Sequence, residues 1–143
     1  MATEFSAALS GSVTLTNSNK TVSSSGSWTL ARANHSKYVQ EAIHCVEFVV
    51  DDAITHLMVG LMPPSGNGVQ PHTNGGLLYW SNGSIWSPAG NSYPSVASWG
   101  AAGDVITVIV KNGKMYVAKN GTLQNSANLS AETGFVLSGL SGP

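Results

Sequence analysis

The chain has 143 residues, of which 42% are apolar and only 9% charged, with 6 Lys and Arg against 7 Asp and Glu and a single cysteine. That length suits one compact domain, 1–143, with a core of its own. A net charge of -1 leaves no basic stripe to neutralise phosphates and argues against nucleic acid as a partner, while the lone cysteine excludes an intramolecular disulfide.

In chain order, Met1 to Phe5 lacks the basic region and apolar core of a signal peptide, and no apolar stretch reaches membrane-spanning length. No membrane insertion is therefore expected, and a cytoplasmic or virion location is. Apolar runs bounded by Gly, Ser, Asn and Pro predict strands near 12–16, 20–24, 28–33, 42–50, 56–62, 76–81, 104–111, 114–119 and 135–140. The five Asn-X-Ser/Thr triplets, at Asn19, Asn34, Asn82, Asn120 and Asn128, are read as bare in the absence of a signal peptide.

In the fourth of these strands His44, Cys45, Val46 and Glu47 point to opposite faces in turn, so His44 and Cys45 make a poor metal or nucleophile–base pair. Cys45 is expected to pack as a small apolar residue. Asp51-Asp52 reads as a turn, since a calcium site there would need further oxygen ligands that the neighbouring sequence does not offer. His35, His44, His56 and His72 lack the short spacings of zinc sites, so neither metal nor cofactor is expected.

The middle of the chain, from Pro63 to Gly100, interleaves Tyr79, Trp80, Trp86, Tyr93 and Trp99 with Asn, Ser, Gly and Pro. Rigid aromatics beside adaptable amides and hydroxyls are the chemistry of a recognition surface, and loops on a stiff scaffold are where such surfaces sit. Most of the tryptophans are expected in the core, with Trp86 as the surface candidate. His72, Asn74, Asn91 and Tyr93, in more irregular sequence, are the other candidate ligand contacts.

The firmest local pattern follows. Val105 to Lys111 and Lys114 to Lys119 flank Asn112-Gly113, and Asn120-Gly121 comes next; Asn-Gly supplies the positive φ angles of a type I′ hairpin turn. The nearly unbroken apolar run Val105, Ile106, Val108, Ile109 and Val110 predicts a central strand covered on both faces. Repeated short strands without a long helical period predict an all-β, antiparallel two-sheet β-sandwich of jelly-roll type.

Gly103-Asp104-Val105-Ile106, the apolar strand, the tight turn and an aromatic strand ending in Lys119-Asn120-Gly121 resemble the signature hairpin of SPRY (B30.2-type) domains. Ser27 to Ala33, Cys45 to Val50 and Met58 to Leu61 are similar, in the right order, to earlier strands of that family. Cys45-Val46 stands where the family has an aromatic pair, and the chain ends about where the family adds a further apolar strand, so a trimmed sheet or an edge completed by a partner chain is expected. The resemblance implies a β-sandwich that recognises a partner, often a protein, without catalysis. It also makes Glu47 a structural glutamate with an internal hydrogen bond or ion pair, Arg32 being the candidate partner.

Charge this sparse, against roughly a quarter of residues in an ordinary soluble chain, leaves a surface of Ser, Thr, Asn and Gly with little colloidal repulsion. That composition fits a component of an assembly such as a virus or phage particle, and equally a domain kept in solution by hydroxyls and amides. Three readings follow. One is a protein-binding or self-assembling module. Another is a lectin-like glycan binder using Trp86 and Tyr93. The last is a divergent hydrolase, which would need two carboxyls meeting in a cleft. The leading expectation is binding without catalysis.

Overall fold

The computed structural model describes residues 5–10, 13–18, 20–24, 30–33, 43–62, 75–90, 93, 95–125 and 127–136, and among these there is no helix. The strands are β1 (Phe5–Ser10), β2 (Val13–Thr16), β3 (Thr21–Ser24), β4 (Leu30–Ala33), β5 (His44–Val49), β6 (Met58–Leu61), β7 (Leu77–Trp80), β8 (Ile85–Trp86), β9 (Val105–Lys111), β10 (Lys114–Lys119), β11 (Thr122–Leu123) and β12 (Phe135–Val136). Each of the nine predicted strands contains one of these. The sequence reading missed β1, β8 and β11, and residues 137–140 of the last predicted strand lie outside the described set.

All pairings are antiparallel. One sheet runs β11-β10-β9-β5, with β12 beside the start of β10, and a second runs β6-β7-β8; β1-β4 and β2-β3 form two-stranded ribbons. Asn112 and Gly113 have φ of 48° and 70°, and Asn120 and Gly121 have 49° and 81°. These are the paired positive values of the expected I′ turns, and they set Lys111 opposite Lys114 and Lys119 opposite Thr122.

The core lies between the two sheets, as in a sandwich. Val59, Leu77, Tyr79 and Ile85 from the second sheet meet Ile106, Val108, Met115, Val117 and Phe135 from the first, with Val50 and Trp99 closing one end. β9 is central, between β5 and β10, as expected. Its two faces are unequal, however: Ile106 and Val108 are buried, while Val105, Thr107 and Ile109 on the other face are half-buried.

The outer face of that sheet is covered beside β10 and open beside β5. Tyr116 on β10 is fully buried, and segment 127–134 folds back toward it, leaving so little room that a Cβ on Gly134 would lie 2.7 Å from the Tyr116 ring. Lys111 Nζ donates to Leu129 O at 2.7 Å and lies 3.8 Å from the Glu132 carboxylate, while Lys114 Nζ donates to Glu132 O and Asn112 Nδ2 to Glu132 Oε1. The tip of the hairpin is thus fastened to the segment that covers it.

One expectation about β5 is corrected here. His44, Val46 and Phe48 take the half-buried face, so alternation sends Cys45, Glu47 and Val49 outward and Cys45 is exposed. Glu47 is exposed as well. Its carboxylate accepts a hydrogen bond from Thr107 Oγ1 at 3.3 Å on the neighbouring strand, and the side chain of Arg32 lies outside the described residues.

Candidate functional site

Three features of this scaffold stand out chemically. The first is a row of rings on the second sheet. In β6-β7-β8 the register sets Met58 opposite Trp80 and Leu78 between Gly60 and Trp86. Val59, Leu77, Tyr79 and Ile85 fill the core face, so Trp80 and Trp86 stand on the opposite, outer face. Both are half-buried, with ring centroids 6.0 Å apart, and the His56 ring lies 6.4 Å from that of Trp80. Trp80, expected in the core from its place in Leu-Leu-Tyr-Trp, is on this face because the phase of the strand sends Tyr79 inward.

Local hydrogen bonds hold the row in place. Ser81, buried at the end of β7, donates from Oγ to Thr55 O at 2.9 Å and accepts from Leu57 N at 3.3 Å, while its own N–H donates to Leu57 O at 2.8 Å. These three bonds keep His56 beside Trp80. The turn from β7 to β8 closes through Trp80 N to Ser84 O and through Asn82 Oδ1, which accepts from Ser84 N. After Trp86, Ser87 and Gly90 exchange backbone hydrogen bonds around Pro88-Ala89.

The second feature is the corner around Asp104. Ala101 to Asp104 form a tight turn, closed by Asp104 N to Ala101 O, with Gly103 at φ 89° in the position that requires a positive angle. One Asp104 oxygen accepts from the N–H groups of Gly100 and Ala101 at 3.0 and 3.1 Å, and the other from Asn120 Nδ2 at 3.0 Å. Lys119 Nζ is 3.6 Å away and donates to Ser98 O at 2.8 Å. The hydrogen bond from Asn120, then that from Gly100, holds the Asp104 carboxyl below its usual range against the opposing effect of burial; Ala101 and the Lys119 charge add to the lowering.

An open depression of about 330 Å³ lies here between Ile54, Ser98, Ala101 and Lys119. A carboxylate held by three N–H donors is a fixed anchor, poorly suited to moving a proton. Among the described residues no three His, Cys, Asp or Glu side chains gather as a metal site would require.

Tyr79 links this corner to the core. Its ring is fully buried against Trp99 at 5.7 Å and its hydroxyl donates to Ala97 O. Burial, and secondarily the Asp104 charge, push its pKa up to about 12. A raised tyrosine pKa means the stabilisation is complete below the unfolded value of about 10 and is lost as pH rises through the folded value. Tyr79→Phe is expected to cost about 1–2 kcal/mol at neutral pH through the lost hydrogen bond. It should also flatten the decline in stability between about pH 10 and 12 expected of the wild type in chemical denaturation; an unchanged alkaline limb would refute the assignment.

The third feature is the outer face of β5. Val49 is 62% exposed, Ile43, just before the strand, is 57% exposed, and Cys45 between them is exposed too. With Val105 and Ile109 of β9 alongside at half burial, they make an apolar strip interrupted only by the Glu47–Thr107 pair.

The five residues singled out from sequence fall in different places. Trp86 belongs to the ring row. Tyr93 is half-buried and meets Phe135 edge-on, centroids 4.8 Å apart, where it borders the core. His72, Asn74 and Asn91 lie outside the described residues. Sequence reading did not single out Trp80 and His56 for the row, nor Ile43 and Val49 for the strip. Alternation within 42–50 and 76–81 was the available signal, but it gives the period and leaves open which set faces in. Comparison of the chain with protein-family models, curated proteins and solved structures finds no match to any of them.

Proposed function

We propose that this chain is a non-catalytic binding and assembly module that engages a protein surface, a second copy being the simplest partner, through the outer face of β5 and β9. The observation that carries the reading is the exposure of Ile43 and Val49 on one face of a sheet. Large aliphatic side chains left in water in an adjacent row mark contact surfaces more often than chance placement. Net charge of -1 and 9% charged residues add little repulsion between copies, which suits a component of a larger particle. The resemblance to SPRY domains supports the same class of function.

Two carboxylates weigh against the hydrolase alternative. Glu47 is engaged by Thr107, and Asp104 is engaged by Gly100, Ala101 and Asn120, so each serves the fold where it stands.

Light scattering coupled to size-exclusion chromatography over a range of concentrations tests the proposal. The wild type is expected to give a defined mass above that of the monomer. Ile43→Lys combined with Val49→Lys should return it to monomer while shifting stability by no more than about 0.5 kcal/mol per site, as for exposed positions generally. A wild type that stays monomeric throughout would sink self-assembly, and an oligomer indifferent to the double variant would remove this face from it.

A further inference from the structure

The hairpin tip that fastens segment 127–134 to the sheet carries a chemically labile pair, Asn112-Gly113. We propose that Asn112 is a site of spontaneous covalent conversion to aspartate or isoaspartate, and that this conversion releases the segment from Tyr116. The reaction consumes only water. The Gly113 backbone nitrogen attacks the side-chain carbonyl carbon of Asn112 and gives up its proton, and the side-chain amide group leaves with that proton as ammonia. Water then opens the cyclic imide, giving aspartate, or isoaspartate, in which the main chain runs through the side-chain carbon. Neither step depends on what the open face of β5 binds.

Glycine after asparagine leaves the approach to the amide open, and three such pairs join strands of the fold. They are held differently. At Asn82-Gly83 the attacking nitrogen is engaged, donating to Trp80 O at 2.9 Å, and Gly83 is buried. At Asn120-Gly121 the side-chain amide is held at both ends, Oδ1 accepting from Val105 N at 2.8 Å and Nδ2 donating to Asp104 at 3.0 Å. Asn112 and Gly113 are both exposed, and among the described residues no acceptor holds Gly113 N. The one hydrogen bond of the Asn112 side chain among those residues runs from Nδ2 to Glu132 Oε1. Asn67 and Asn74, which also precede glycine, lie outside the described residues.

That single bond is also the one the conversion destroys. A carboxylate oxygen takes the place of the donor and faces the Glu132 carboxylate, and like charges this close repel. Lys111 Nζ, 3.8 Å from Glu132 and partly in water, offsets this only in part. Isoaspartate adds a main-chain carbon to the two-residue turn that sets Lys111 opposite Lys114, which displaces the tip from Glu132. The closed segment already carries two costs. Glu132 has a φ of 54°, disfavoured for a residue other than Gly, Asn or Asp. Beneath the segment, the Tyr116 hydroxyl is buried with no hydrogen-bond partner among the described residues, a cost that opening removes.

Peptide mapping of the wild type held in mildly alkaline buffer tests the chemistry, since each conversion raises the peptide mass by a dalton. In the folded protein residue 112 is expected to convert about fivefold or more faster than residues 82 and 120, the factor that one further hydrogen bond represents. In denaturant the three rates should converge. Mapping after nitration of accessible tyrosines tests the release. Tyr116 should resist nitration in the wild type and react several-fold faster in Asn112→Asp, while Tyr79 stays protected in both. Asn112→Asp combined with Glu132→Gln should restore protection, because the glutamine amide can donate to the new carboxylate. The proposal falls if residue 82 or 120 converts as fast as residue 112 in the folded chain, or if Tyr116 is labelled no faster in Asn112→Asp than in the wild type. It also falls if the double variant is labelled as fast as Asn112→Asp, or if Tyr79 is labelled in step with Tyr116, since the whole fold and not the segment would then have opened.

Discussion

Replacing Gly100 by alanine is expected to lower stability by about 3–5 kcal/mol, a drop in Tm on the order of 10 °C, because two independent penalties meet at that residue. Its φ of 125° lies where L side chains are strained. A Cβ there would also sit 2.3 Å from the carbonyl oxygen of Ile54, and that backbone cannot retreat cheaply: Ile54 N donates to Gly100 O at 2.8 Å while Gly100 N donates to Asp104. Gly103→Ala provides the control. Gly103 has φ 89° but nothing within 4 Å of the added atom, so it should show strain alone, about 1–2 kcal/mol. Thermal melts of the two variants side by side test the argument. Equal losses would mean that close packing against Ile54 contributes nothing.

That contrast also marks the boundary of what could be read from residue order. Local chemistry was legible. Asn112-Gly113 and Asn120-Gly121 supply the paired positive φ angles of I′ turns, whereas Asn82-Gly83, also between two strands, has only Gly83 at positive φ; Gly103 before Asp104 is the residue a tight turn needs. The apolar run of β9 correctly implied a central strand, since only a strand flanked on both sides tolerates it. What failed was phase. Ile43, Cys45, Val46, Phe48 and Val49 are apolar on both faces of β5, so alternation alone could not choose between them, and the choice is made by the opposing sheet, which takes up Phe48 and leaves Val49 in water.

The same reasoning explains Leu77-Leu78-Tyr79-Trp80, where pairing with β6 and β8 sends Tyr79 inward and turns Trp80 out toward Trp86. β1 escaped notice because Phe-Ser-Ala-Ala-Leu-Ser is rich in small residues with weak strand preference. β8 and β11, of two residues each, exist because the turns before them deliver the chain to a waiting edge. A ring row assembled from residues 56, 80 and 86 is a tertiary product of these choices, and only Trp86 among its members is singled out as a surface candidate by the sequence.

Asp104 should make the acid side of the stability curve its own. Its carboxyl titrates below the usual range in the folded protein, so the stabilisation it supplies is present above the unfolded value of about 4 and is lost as pH falls from there through the lower folded value. Asp104→Asn keeps the shape but turns an amide NH2 toward donors that the carboxylate satisfies, namely the N–H groups of Gly100 and Ala101 or Asn120 Nδ2. The variant is therefore expected to melt well below the wild type at neutral pH and to lose most of the wild type's decline as pH falls below about 4. Asn120→Gly should reproduce much of this acid-limb change, because glycine keeps the positive φ of the turn while removing the hydrogen bond that contributes most to the lowering. Lys119→Met should change it less, since the ammonium is 3.6 Å from the carboxylate, partly in water, and the weakest of the contributions. Melting temperature followed against pH for the three variants separates these cases. An acid limb for Asp104→Asn that superimposes on the wild type would place the controlling carboxylate elsewhere, and a Lys119 effect larger than that of Asn120 would make charge, rather than hydrogen bonding, the force that holds the corner.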